Sequence, residues 1–157
     1  MQSCTIETPL GHAKITGDVD GIARVSIGDT TGELSELIPE DLLDCVTQLK
    51  AYFREELQDF DLKLNPSGTD FQKRVWQQLQ QIPFGKTCSY LELSKKLGDP
   101  KAIRAVANAN GKNPLWIIIP CHRVIGSDGS LTGYAGGLHR KQWLINHESE
   151  NKQQTLF

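Results

Sequence analysis

The sequence has no run of 18 apolar residues, so no transmembrane helix is expected. Its first residues, Met1-Gln2-Ser3-Cys4-Thr5-Ile6-Glu7, carry neither a basic flank nor an apolar stretch and do not read as a signal peptide. No Cys-x-x-Cys pair occurs. The four cysteines, Cys4, Cys45, Cys88 and Cys121, lie 41, 43 and 33 residues apart, a spacing that argues against a disulfide framework or a zinc site. There is no internal repeat, no low-complexity tract and no cofactor motif, so neither a cofactor nor a bound metal is expected. Together these absences predict a cytoplasmic protein. With 157 residues, 38% of them hydrophobic, the chain is long enough to bury a core without staples.

The formal charge of −2 conceals an asymmetry. Residues 1–65 hold 5 Lys/Arg against 13 Asp/Glu, whereas residues 84–143 hold 9 against 3. A basic second part suits a polyanionic partner, and equally a chance grouping of solvated charges. Residues 4–28 alternate with period two and break at Pro9-Leu10-Gly11 and at Gly17–Gly21, which predicts a small antiparallel meander. Over 40–57, Leu42, Leu43, Val46, Leu49, Tyr52, Phe53 and Leu57 recur at helical spacing. Phe60–Leu64 reads as a further short strand. Asn65-Pro66-Ser67-Gly68 reads as a boundary, giving a support domain over 1–65 and a second domain over 66–157.

The second part opens with a helix capped by Thr69, followed by a short helix capped by Ser89 and a third over Lys101–Asn110. Two short helices around Gly98-Asp99-Pro100 make a helix-turn-helix. The third helix is rich in alanine, with Arg104 as its one arginine; it fits close helix packing or insertion into a nucleic-acid groove. Leu115–Ile119 reads as a buried strand, and a final amphipathic helix over 138–147 presents Leu138, Trp143, Leu144 and Ile145. The fold class is therefore α+β: a small N-terminal antiparallel sheet with a helix, then a helical, winged-helix-like domain.

Chemistry concentrates at Pro120-Cys121-His122-Arg123. A thiolate is a competent nucleophile, and a neighbouring base and positive charge favour it. His122 would take the thiol proton only if a turn brings the two side chains together, because neighbours in a strand face opposite ways. Glu148 lies 27 residues on and would orient the imidazole. Three readings stay open on these residues alone: a cysteine nucleophile acting on nucleic acid, a Cys-His hydrolase of small molecules or peptides, and a helix-turn-helix binding module with a structural Cys121.

Pro120-Cys121-His122-Arg123-Val124 resembles the active-site signature of the O6-alkylguanine-DNA alkyltransferases, the methylated-DNA–protein cysteine methyltransferases. So do Phe71-Gln72-x-x-Val75-Trp76, Ile82-Pro83-x-Gly85, Ser89-Tyr90, Arg104-Ala105-Val106-Ala107, Asn113-Pro114 and Tyr134-x-Gly-Gly, in order and spacing, from about residue 70 to Glu148. The resemblance implies single-turnover transfer of an alkyl group from O6-alkylguanine in duplex DNA to Cys121, and leaves O4-alkylthymine open as a second substrate. It implies a monomer that enters the minor groove, flips the damaged base and needs no cofactor and no membrane. His122 acts as base through a water, Glu148 orients it, and Asn113 braces the turn. Tyr90 donates to the guanine ring; the carbonyls of Cys121 and Val124 accept from its exocyclic amine; Tyr134, Ala135 and Gly136 border the base. Arg104 fills the space of the flipped nucleotide, and Ala102, Ala105, Lys101, Lys112 and Gln72 meet DNA around it. Ala135 stands where certain relatives carry Ser, so no hydroxyl there reaches the guanine O6. A binding-only lesion sensor of the same family is the alternative.

Overall fold

Alternation builds the first unit. In a computed structural model that describes residues 1–29, 33–131, 134 and 136–149, β1 (Gln2–Thr8), β2 (Gly11–Asp18) and β3 (Gly21–Gly28) form an antiparallel sheet in the order β1-β2-β3. The register sets Cys4 opposite Ile15, Ile6 opposite Ala13, and Ile15 opposite Val25, so one face is apolar throughout. The second turn requires glycine: Gly21 has φ +134°, and a Cβ there would lie 2.8 Å from the Lys63 carbonyl oxygen.

Helix α1 (Glu40–Phe53) lays Leu42, Cys45, Val46, Leu49 and Tyr52 against that sheet. Acidic Glu40 and Asp41 in its first turn and Lys50 in its last suit the helix dipole. The helix stops four residues short of the periodicity, because Glu55 turns left-handed at φ 64° and takes Leu57 off the helical path. Phe60–Leu64 is not a strand either: only Leu64 pairs, in a single parallel bridge to Ile22.

The second unit is helical. Helix α2 (Asp70–Leu79) starts at a reciprocal cap in which Gln72 N donates to Thr69 Oγ1 at 3.1 Å and Thr69 N donates to Gln72 Oε1 at 3.0 Å. Its buried Trp76 donates from Nε1 to the Ala109 carbonyl at 2.9 Å, tying α2 to the alanine-rich helix. A two-residue strand β4 (Cys88–Ser89) leads into α3 (Tyr90–Lys96), where Ser89 and Glu92 repeat the same cap. The third helix differs in detail from its expectation: Pro100–Ala102 is a 3₁₀ turn capped by Asp99, and α4 proper runs Ile103–Gly111. Helices α3 and α4 around this turn are the expected helix-turn-helix.

Leu115–Ile119 is buried, as its composition demands, but it is not a strand. Val25 N donates to the Pro114 carbonyl and Trp116 N to the Val25 carbonyl; after that one bridge the chain turns, with Ile118 N bonded to the Trp116 carbonyl at 2.8 Å. Ile117 sits at φ 69°, a conformation that costs a β-branched residue about 1–3 kcal/mol. Burial alone does not separate a strand from a buried turn. Compact units follow this route: among the described residues, Met1–Ser67 with Pro114–Ile118 form one, and Gly68–Asn113 with those from Ile119 to Ser149 form the other.

After the 3₁₀ turn Cys121–Arg123, β5 (Val124–Ile125) pairs in parallel with β4, Cys88 opposite Val124. Helix α5 (Leu138–Glu148) then buries Leu144 as expected, but otherwise turns a different set of side chains inward. Leu138 is 49% exposed, while Arg140, Lys141, Leu144 and Glu148 are buried. Charged groups turn inward here because they have partners within the second unit. No helix of the described residues is long and apolar enough to cross a membrane.

Candidate active site

The chain turns at Cys121, in a 3₁₀ turn over Cys121–Arg123. Pro120 opens it, and Arg123 N closes it on the Pro120 carbonyl at 3.1 Å. Three consecutive side chains are buried there, two of them groups that ordinarily seek water: Cys121 at 7% exposure, His122 at 0% and Arg123 at 7%. Two asparagines brace the backbone. Asn113 Nδ2 donates to the Ile119 carbonyl at 2.7 Å, and Asn110 Nδ2 reaches the Cys121 carbonyl at 3.4 Å. Asn113 thus meets the chain just ahead of the turn, while Asn110, which reaches the turn itself, is absent from the sequence expectations.

Glu148, from the last turn of α5, joins the turn residues in a buried network. His122 Nε2 lies 2.7 Å from Glu148 Oε2. Arg123 spans the same carboxylate, Nε to Oε1 at 2.8 Å and a terminal nitrogen to Oε2 at 3.0 Å. Its other terminal nitrogen donates to the Ile82 carbonyl at 2.7 Å, and its guanidinium lies 5.8 Å from the centre of the Phe84 ring. Glu148 is 3% exposed. Burial by itself would raise its carboxyl, but hydrogen bonds and charge from His122 and Arg123 outweigh that and hold it at about 2, against an ordinary 4.5.

His122 responds in the opposite sense. Burial lowers it below 6.5; Glu148 pulls it back up, and the charges of Arg123 and Lys141 press it down again. A neutral imidazole facing an ionised carboxylate must donate from Nε2, which leaves Nδ1 as the unprotonated, basic atom. His122 Nδ1 is buried and has no hydrogen-bond partner among the described residues.

Burial pushes the Cys121 thiol up, and this is the largest influence on it. Hydrogen bonds from the side chains of Asn113 and Tyr134 and the charge of Lys141 act the other way. The thiol is therefore stored protonated and inert, while the groups around it are those that would stabilise an anion once formed. Lys141 is fully buried on α5, with Nζ 5.8 Å from the centre of the Tyr90 ring. The sequence reading missed it, although the signal was there. With Glu148 turned inward, helical spacing brings Leu144 and Lys141, four and seven residues earlier, to the same face.

A second feature lies on the helix-turn-helix. A concave groove of about 440 Å³ is bordered by Tyr90 on α3 and by Ile103, Arg104, Ala107, Asn108, Gly111 and Lys112 along α4. Ala107 and Gly111 are its small lining residues, and Arg104 and Lys112 are exposed cations. Lys101 and Ala105 are also exposed and Ala102 is half-buried, whereas Gln72 is engaged in the α2 cap. Cys121 is not among the groove's lining side chains. Val124 is buried in β5, and the Gly136 carbonyl accepts from Arg140 at 2.8 Å. Tyr134 is half-buried; Ala135 lies outside the described residues. Among the described residues no group of three or more His, Cys, Asp or Glu could hold a metal ion.

Comparison with known proteins finds one family along both parts of the chain. The family model described as 6-O-methylguanine DNA methyltransferase, ribonuclease-like domain, matches residues 2–66, and the DNA binding domain of the same name matches residues 70–150. The methylated-DNA–protein-cysteine methyltransferase of Methanosarcina barkeri is 46% identical over 153 residues, 93% of this chain and 96% of its own. Its counterpart in Mycolicibacterium paratuberculosis is 44% identical over 156 residues, 97% of this chain and 94% of its own. The crystal structure of Mycobacterium tuberculosis OGT in complex with DNA is similar with a TM-score of 0.85 at 44% identity, covering 94% of this chain and 93% of that one. Matched along both parts by one family and nearly half identical to named relatives, the chain belongs to the O6-methylguanine-DNA methyltransferases.

Proposed function

We propose that this protein repairs alkylated duplex DNA by moving the alkyl group from O6 of guanine to Cys121 Sγ. The observation that carries the reading is the buried Cys121–Arg123 turn, in which an ionised Glu148 sets a neutral His122 beside a thiol ringed by anion-stabilising groups. Cys121 loses its proton to His122 Nδ1 through an intervening water, and Sγ attacks the alkyl carbon. The C–S bond forms as the carbon–oxygen bond breaks; the electron pair leaves on guanine O6, and Tyr90 donates a hydrogen bond to the ring as it departs. Asn113 and Lys141 stabilise the thiolate for the moment it exists. The thioether product has no leaving group that water readily displaces, so each chain acts once.

DNA binds along the groove of α4, entered from the minor groove. Small side chains at Ala102, Ala105 and Ala107 let the backbone approach closely, while Lys101 and Lys112 meet phosphates. Arg104 fills the gap left by a flipped guanine, which Val124, Tyr134 and Gly136 help to enclose. The chain acts as a monomer. A binding-only sensor has no use for a nucleophile set in this network, which favours transfer over the alternative.

Two experiments test the reading. Repair of a duplex carrying O6-methylguanine stops at one guanine per chain; continued turnover overturns the thioether product. Arg104→Ala slows repair of that duplex by about 5- to 160-fold, the scale of losing a flipping contact worth about 1–3 kcal/mol. It leaves reaction with the free O6-alkylguanine base unchanged. Equal losses on both substrates, measured as single-turnover rates, remove Arg104 from the flipping role.

A further inference from the structure

His122 and Arg123 both grip Glu148 from the buried turn, and Arg123 lies off the proton-transfer path. His122 Nε2 uses Oε2 at 2.7 Å, yet Arg123 takes both oxygens, at 2.8 and 3.0 Å. The rest of the guanidinium is also committed: the Ile82 carbonyl accepts at 2.7 Å and the Phe84 ring lies 5.8 Å away. With every edge engaged and 7% exposure, Arg123 cannot rotate away from the carboxylate. A carboxylate paired with histidine alone could exchange its proton with the ring. A carboxylate also gripped by a permanently charged fork stays ionised and planar to that fork.

We propose that Arg123 is a positioning residue for alkyl transfer: by holding Glu148 in an ionised, fixed orientation it locks His122 as the Nε2–H tautomer and keeps Nδ1 free to accept the Cys121 proton. This rests on the alkyl-transfer reading above. The orphaned, buried Nδ1 is the atom such a lock would expose. The charges facing the imidazole are Glu148 and Lys141 from α5 and Arg123 from its own turn. Arg123 and Lys141 oppose an imidazolium, and Glu148 favours one. Without Arg123, His122 takes up a proton at higher pH and ceases to be a base there.

The test uses the full chain labelled with ¹⁵N-histidine, long-range ¹H–¹⁵N spectra of His122, and single-turnover transfer rates across pH 5–9 on the O6-methylguanine duplex. Wild-type protein shows the Nε2–H tautomer at pH 7. Arg123→Gln gives a tautomer mixture, a rate at least about tenfold lower, a part of the roughly 10²–10⁴-fold that base catalysis supplies, and an acid limb displaced to higher pH. Arg123→Lys keeps the charge without the fork; it returns the acid limb to its wild-type position but leaves the plateau rate low. An Nδ1–H tautomer in the wild type overturns the proposal, and needs no variant to be seen. So does a wild-type plateau in Arg123→Lys, or a folded Arg123→Gln with unchanged tautomer and pH profile. Failure of the wild type to transfer any alkyl group is distinct from these results: it overturns the alkyl-transfer reading on which the proposal rests.

Discussion

Replacing Cys121 with serine ends alkyl transfer and leaves binding to the damaged duplex in place. The substitution exchanges sulfur for oxygen at a site 7% exposed, so the residue still fits and its neighbours Asn113 and Tyr134 still have a polar atom to meet. Only the nucleophile changes. A buried hydroxyl is far harder to ionise than a thiol, and neither Lys141 nor the amide of Asn113 closes that gap. The expected loss is on the order of 10⁶-fold, the scale found when an enzyme loses its nucleophile. The groove along α4, whose lining excludes Cys121, is untouched. Duplex binding by Cys121→Ser, measured by titration, therefore stays near the wild-type value, while rapid-quench assays find no repaired guanine. A variant that repairs at the wild-type rate rules out Cys121 as the acceptor.

The second large effect falls on Glu148, where catalysis and stability meet. Glu148→Gln keeps the shape but removes the anion, leaving Arg123 at 7% exposure with its charge uncompensated. Breaking such a pair by deleting one partner costs about 3–5 kcal/mol. The same change lets His122 adopt either tautomer, and transfer slows by about 10²–10⁴-fold.

The pH dependence has a definite sign. The folded carboxyl sits at about 2 against an ordinary 4.5, so Glu148 contributes stability that is fully present above the unfolded value and is lost as pH falls towards 2. A shift of that size corresponds to about 3 kcal/mol. His122 acts in the same direction from a higher starting point. Its folded value lies below 6.5, so the unfolded chain gains the proton first and stability declines as pH drops below 6.5. Urea unfolding at pH 7, 5 and 3 shows the wild type losing its advantage over Glu148→Gln as pH falls. Curves that stay parallel across that range contradict a depressed Glu148.

Where local rules and tertiary needs coincide, the sequence was readable. The three-stranded meander follows from alternation and glycine turns, and Thr69 and Ser89 cap α2 and α3 because their hydroxyls face orphaned backbone donors. The need for a turn at Cys121 followed from strand geometry alone. Misreadings arose where composition fixed neither the backbone path nor the buried face. The apolar run Leu115–Ile119 turns after one bridge, through a left-handed Ile117 that no local preference announces. Helix α5 shows Leu138 to solvent and buries Lys141 and Glu148, because the site supplies them with charged and polar partners. Arg123 was legible as a basic neighbour of the thiol. Its actual partner, Glu148, comes from 25 residues away, and only the folded chain reveals that the two meet.

Transfer to one named sulfur is the centre of the account, and mass spectrometry reads it directly. The protein is mixed with a short duplex carrying O6-methylguanine, weighed intact and then digested. One added methyl group per chain, mapped to the peptide containing Cys121 and matched by an equal amount of repaired guanine, is the predicted result. An unshifted mass with tight binding to the same duplex, or a methyl group on Cys4, Cys45 or Cys88 instead, would contradict it.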